Sequence, residues 1–170
     1  KCLWIFQEGA VRINQMTRPF IHVNVAMSAD GKIDSASRKG MSISSLADKN
    51  RVDLLRASMD AIMVGGRTLI HEDPGLTVKS VDSRKERLRK GWPENPTKVG
   101  VVSILPFFEG GTSSELDGIT TKMPLQNFLT SGPAQVYLFT TQRTSPEAFS
   151  AFQSEGATVL IIGEERVDLA

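Results

Sequence analysis

The sequence predicts an α/β domain built on a largely parallel sheet. Two observations carry this. Short runs rich in β-branched residues recur at 20–28, 61–64, 97–105, 135–141 and 158–162. Stretches with helical spacing and capping residues, at 44–58 and 145–156, fall between them. Alternation of strand and helix is the pattern of parallel strands joined by helical crossovers. A length of 170 residues suits one domain with a sizeable core.

Taken in order, Leu3–Phe6 reads as a short apolar strand, and a polar connection follows as far as Arg18-Pro19. FIHVNVAMS (20–28) sets Phe20, His22 and Asn24 against Ile21, Val23 and Val25, the period of a strand. Asp30-Gly31 then supplies turn chemistry. In SSLADKNRVDLLRAS (44–58) Ser45 with Asp48 resembles a capping box, and Leu46, Val52, Leu55 and Met59 form an apolar stripe. AIMV (61–64) is a wholly apolar run, as expected of a strand buried on both faces.

GGRTLIHEDPGLTVK (65–79) reads as a loop, and VDSRKERLRKGW (81–92) as a charged, exposed segment. TKVGVVSIL (97–105) and QVYLFTT (135–141) are strands on either side of a long Gly-, Ser- and Thr-rich connection, 106–133. A connection of that length is expected to be functional or mobile. SPEAFSAFQSEG (145–156) has Ser145 as N-cap, Pro146 at the first helical position and Gly156 past its end. After the strand TVLII (158–162) a helix is due, yet the sequence ends at GEERVDLA, so the chain reads as C-terminally incomplete.

Composition excludes several function classes. A formal net charge of +1 argues against a general nucleic-acid binder. The single cysteine, Cys2, builds neither an internal disulfide nor a cysteine zinc site. No stretch approaches the roughly 20 apolar residues of a membrane span, and CLWIF is too short for a signal-peptide core. The expectation is a soluble cytoplasmic protein. His22 and His71 are isolated, so metal binding is not expected. Ser28, His71 and Asp73 spell a triad only by composition. GxGxxG, GxxxxGK[ST], HExxH and GxSxG are absent.

The loop 65–79 has two readings. It is either a turn with a helix cap or a ligand loop, and spacing alone favours the first. For the second, Gly65-Gly66 at a strand end frees the backbone for close approach or positive φ. Arg67 and Lys79 suit phosphate, Thr68 donates, and Glu72 or Asp73 accepts from ribose or an amino-heterocycle. Ligands of open α/β sheets sit at the carboxyl ends of strands. VAMSADGKID (25–34) offers a second polar, glycine-bearing turn at a strand end, which makes a shared cleft more plausible than either loop alone.

Together VNVAMSADGKI and ISSLADKNRVDLLRASMDAIMVGGRTLIHEDPGLTVK resemble the reductase of riboflavin biosynthesis, whose pattern is S-x-D-G, then L-x-R-A, then T-x-x-x-D-D-P-x-L-T-V. The resemblance covers about residues 19–79 and continues more weakly along the later strands, leaving 1–18 as an N-terminal extension of a domain at 19–170. It implies a dihydrofolate-reductase-like fold, a mixed, largely parallel sheet flanked by helices, and a homodimer. The implied activity is NADPH-dependent reduction of the ribosyl group of a ribosylaminopyrimidine 5′-phosphate to ribityl, with hydride delivered to ribose C1′. By motif position Ala26, Ser42, Thr68 and Glu72 would meet NADPH. Arg56, Leu76 and Lys79 would meet the substrate, and Asp30 would shape the site near the reacting sugar. Glu72 stands where the family has Asp, Lys79 where Arg is common, and the family's Glu-Gly-Gly segment would follow position 170. The alternatives are a dihydrofolate-reductase-like reductase of another pterin or pyrimidine, and a non-catalytic ligand-binding domain of the same fold. Whether the pyrimidine carries an amino or an oxo group at C2 stays open.

Overall fold

A computed structural model describes residues 19–33, 44–106 and 124–169, and for 2–7 the backbone path and pairing. The strands are β1 (Cys2–Gln7), β2 (Phe20–Val25), β3 (Ala61–Gly65), β4 (Thr97–Val101), β5 (Val136–Thr140) and β6 (Thr158–Ile161). The helices are α1 (Leu46–Ala57), α2 (Gly66–Glu72), α3 (Val81–Arg89), α4 (Gln126–Thr130) and α5 (Pro146–Ser154). One sheet runs β2-β1-β3-β4-β5-β6. Strands β3 to β6 are parallel, while β1 runs antiparallel to both β2 and β3. The sheet is therefore mixed and largely parallel, as expected, and the strand read at Leu3–Phe6 lies inside it.

Every crossover advances the same way across the sheet, so crossovers of the usual right hand place their helices on one face. Side-chain contacts agree. Cross-strand register puts Ile62 and Val64 of β3, Lys98 and Gly100 of β4, and Val136 and Leu138 of β5 on a common face. That face meets Leu69 of α2, Phe128 of α4 and Phe152 of α5 in the main core. At its centre Gly100 leaves room for its neighbours: an added Cβ would stand 2.7 Å from both Leu69 Cδ2 and Leu138 Cδ2. At the sheet's far end Arg51 of α1 donates to Asn24 Oδ1 of β2 (2.9 Å), which lays α1 over the same face.

Local chemistry explains the helices that the sequence makes legible. Ser45 accepts from Asp48 N at the start of α1 (3.2 Å), and Ser145 accepts from Ala148 N at the start of α5 with Pro146 next to it (3.2 Å). The expected stripe of α1 holds in part. Met59 is buried and Val52 and Leu55 half-buried, but Leu46, in the first turn, is 76% exposed.

Three helices depart from the sequence reading. The charged segment after Ser80 is α3, capped by Ser80 accepting from Ser83 N. It lacks an apolar stripe because a buried arginine docks it. Arg87 Nε donates to Pro93 O (2.8 Å), and its Nη1 donates to Ala57 O (2.9 Å) and Met59 O (2.8 Å). The second departure is α4, within the long connection 106–133, of which 107–123 lie outside the described residues. The third is α2, where a loop was expected. Its N-cap, Gly65, offers no side chain, and seven residues are too few to show periodicity. Residues 162–169, where a helix was due, run without regular structure.

Candidate functional site

Strands β2 and β3 both run antiparallel to β1, so they point the same way, and Val25 and Val64 pair with neighbouring residues at one end of β1. The segments that follow, 26–33 and 66–80, therefore leave the same carboxyl edge of the sheet. One intervening strand sets them about 10 Å apart.

The first segment is a tight turn. Gly31 N donates to Ser28 O (2.9 Å) and Ser28 N to Lys32 O (2.8 Å), with Gly31 at φ 79°. Asp30 is exposed at its tip, accepting from the Ser28 hydroxyl and ion-paired with Lys32. These two partners, Lys32 first, hold its carboxyl below the usual range. An anion thus satisfied is suited to shaping a site rather than to delivering a proton.

In the second segment α2 starts directly at the edge. Neither of its glycines has the positive φ considered from sequence. Gly66 is required by packing, since an added Cβ would lie 2.9 Å from Val102 Cγ2, whereas Gly65 faces open space. Thr68 and Glu72 are four residues apart on α2 and so share a face, both half-buried. Leu69 between them is fully buried and anchors the helix. Asp73 ends α2 in the left-handed region at φ 40°.

Residues 73–80 have no regular structure, yet Leu76, Thr77 and Val78 are buried. Such a segment must find side-chain partners for its backbone, and it does. Asp53 of α1 accepts from Lys79 N (2.6 Å) and Ser80 N (2.8 Å). Arg56, one turn on, donates to Thr77 O (3.3 Å). Asn95 Oδ1 accepts from Val78 N (2.9 Å), and Arg84 Nη1 donates to Val78 O (3.3 Å). Asn127 Nδ2 donates to Asp73 O (2.7 Å). Four separate parts of the chain thus set one extended strip.

Among the expected substrate residues, Arg56 and Lys79 belong to the same α1–strip junction. Arg56 touches Thr77, and the Lys79 amide is tied to Asp53, on the same helix as Arg56. Burial depresses the Arg56 pKa, with Asp53 opposing the shift. Its Nε is buried and, among the described residues, has no hydrogen-bond partner. Such a guanidinium favours an anion close by. Lys79, two residues beyond Thr77 on the strip, is exposed. Leu76 belongs to the core with φ 48°, so its backbone, not its side chain, is what it presents outward. Ala26 and Asp30 lie across the gap on the first segment, and Ser42 lies outside the described residues.

Sequence reasoning missed Asp53 and Asn95. Both are polar residues whose roles depend on partners 17 to 27 positions away, and no local signal marks them. Asp73 was read as a turn residue or a ligand acceptor, but its carboxylate is taken up by the backbone of α4. Among the described residues no cluster of His, Cys, Asp and Glu is suited to a metal ion.

The profile described as the RibD C-terminal domain matches residues 19–170. The chain is 39% identical over 153 residues to the 2,5-diamino-6-ribosylamino-4(3H)-pyrimidinone 5′-phosphate reductase of Archaeoglobus fulgidus, covering 90% of this chain and 62% of the relative. The protein of the same name from Methanothermobacter thermautotrophicus is 31% identical over 152 residues, 89% of this chain and 59% of the relative. That from Aquifex aeolicus is 30% identical over 158 residues, 90% and 59% respectively. The chain therefore spans about three-fifths of the length of these curated relatives.

Proposed function

This chain belongs to the RibD C-terminal domain family, and from that premise we propose that it is the substrate-gripping part of an NADPH-dependent reductase. The proposed reaction converts the ribosyl group of a ribosylaminopyrimidine 5′-phosphate to ribityl, within riboflavin biosynthesis. The observation that carries this reading is that Arg56, with its unpartnered buried Nε, bonds the same Asp53-held strip that bears the exposed cation Lys79. Two cations at one strip suit a phosphate. A pterin without phosphate would need neither, which disfavours the alternative reductase.

The donor set also suits the cofactor. Thr68 and Glu72 share a face of α2 beside the open side of Gly65, and Ala26 lies on the facing turn of the same edge. NADPH, when bound, supplies the hydride. The chain's own contribution is positioning: Arg56 and Lys79 anchor the phosphate, and binding energy from that remote handle holds ribose C1′ at near-attack distance. Asp30, kept ionised by Lys32, shapes the sugar's surroundings. The assembled form is a homodimer and its compartment the cytoplasm. No helix among the described residues is long and apolar enough to cross a membrane.

The test is NADPH oxidation by the full-length protein with 2,5-diamino-6-ribosylamino-4(3H)-pyrimidinone 5′-phosphate. Wild type should turn over. Lys79→Ala should raise the pyrimidine KM about tenfold, the scale of one charged hydrogen bond, with NADPH KM unchanged. Ligand binding without turnover in wild type would leave only the non-catalytic reading, and equal loss for both ligands would remove Lys79 from the phosphate site.

A further inference from the structure

Helix α4 is five residues long and begins at Leu125, which offers no capping side chain. Its cap comes from Asp73. Asp73 Oδ2 accepts from Asn127 N (2.7 Å) and Oδ1 from Phe128 N (2.7 Å), so one carboxylate satisfies the second and third amides of the helix from 54 and 55 residues away. The opposite end is held by a buried cation. Lys98 Nζ, fully enclosed in β4, donates to Phe128 O (2.8 Å) and Ser131 O (2.6 Å). Anion at the N-terminus and cation at the C-terminus are the signs the helix dipole favours. The residues that close α4 lie hard against the strip that carries Leu76 and Lys79. A Cβ on Gly75 would sit 3.0 Å from Ser131 Cβ, and one on Gly132 would sit 3.0 Å from Thr77 Cγ2.

We propose that α4 is the buttress of the 76–79 strip and that Asp73 is the positioning residue that fastens the two together. Asp73 does not touch substrate. It stands at the joint between α2, whose face carries Thr68 and Glu72, and the strip that carries Lys79, and it sets the second relative to the first. The left-handed conformation at Asp73, φ 40°, and at Leu76, φ 48°, is what an over-determined, clamped turn sustains. The kinetic consequence rests on the reductase reading above, whereas the structural one does not.

Asp73→Asn is the discriminating variant, because Asn tolerates the left-handed region while losing the charge and one of the two acceptors. Hydrogen exchange comes first. Amides of Asn127 and Phe128 must lose protection directly. The proposal requires that Val78 and Lys79, whose amides bond to Asn95 and Asp53 rather than to Asp73, lose protection as well, by about tenfold. Retention of protection at Val78 and Lys79 would overturn it. In the NADPH-oxidation assay the variant should raise the pyrimidine KM about tenfold, with kcat and NADPH KM within about twofold, the pattern of lost binding rather than lost chemistry. Equal losses in all three parameters would also overturn it. If wild type did not turn over but Val78 and Lys79 loosened in the variant, the buttress would stand and the reductase reading would fall.

Discussion

Lys98 lies on β4 with its side chain wholly inside the core, and its ammonium is held by two carbonyls and the Phe128 ring at 6.0 Å. Burial lowers its pKa from 10.5 to about 8, with Asp73 opposing the shift and Lys79 adding to it. The folded pKa is below the unfolded one, so between pH about 8 and 10.5 the unfolded chain holds a proton that the native one lacks. Stability contributed by this group therefore rises with pH across that window and is flat below it. In thermal melts, wild type should gain on Lys98→Met as pH rises from 8 to 10.5, and a constant difference would show that burying this ammonium carries no penalty. A lysine in the run TKVGVV gave no hint of this. Alternation puts it on the face of Gly100, but only the arrival of α4 reveals two carbonyls above it.

At the scale of elements, the legible ones announce themselves within their own sequence. Ser145-Pro146 with Gly156 brackets α5, and Ser45 with Asp48 starts α1. The short helices do not, because their ends are satisfied from elsewhere. Asp73 caps α4 across 54 residues, and Arg87 docks α3 on carbonyls 28 and 30 residues away. The meeting of α2, α4 and β5 over Gly100 gives a direct test. In Gly100→Ala the new Cβ would stand 2.7 Å from Leu69 Cδ2 and from Leu138 Cδ2 and force both to shift, an overpacking cost of about 1–3 kcal/mol. Denaturant titration should show that loss, and an unchanged midpoint would mean the core has room to shift.

For the whole molecule, helices on one face leave the other face of the sheet with a different surface. Ala61, Met63, Val101, Tyr137 and Phe139 are half-buried there, and along β2 Ile21, Val23 and Val25 are 45%, 47% and 38% exposed. Apolar residues contiguous on a strand are of the kind that association covers, which accords with the homodimer that the family resemblance implies. Light scattering or sedimentation should give a dimer mass at micromolar concentration, and a monomer there would refute the proposed assembly.

The α/β class, six strands in chain order and two capped helices were readable from the sequence, because each depends on local period or cap; the proposed site residues Asp30, Thr68, Glu72, Arg56 and Lys79 rest on motif position. What the tertiary structure alone decided was how those residues are held. The strip 73–80 has no repeating backbone pattern, so its conformation depends on Asp53, Arg56, Asn95, Arg84 and Asn127, which reach it from distant positions. Buried backbone groups must be paired, and where no strand or helix pairs them only residues distant in sequence remain to do so.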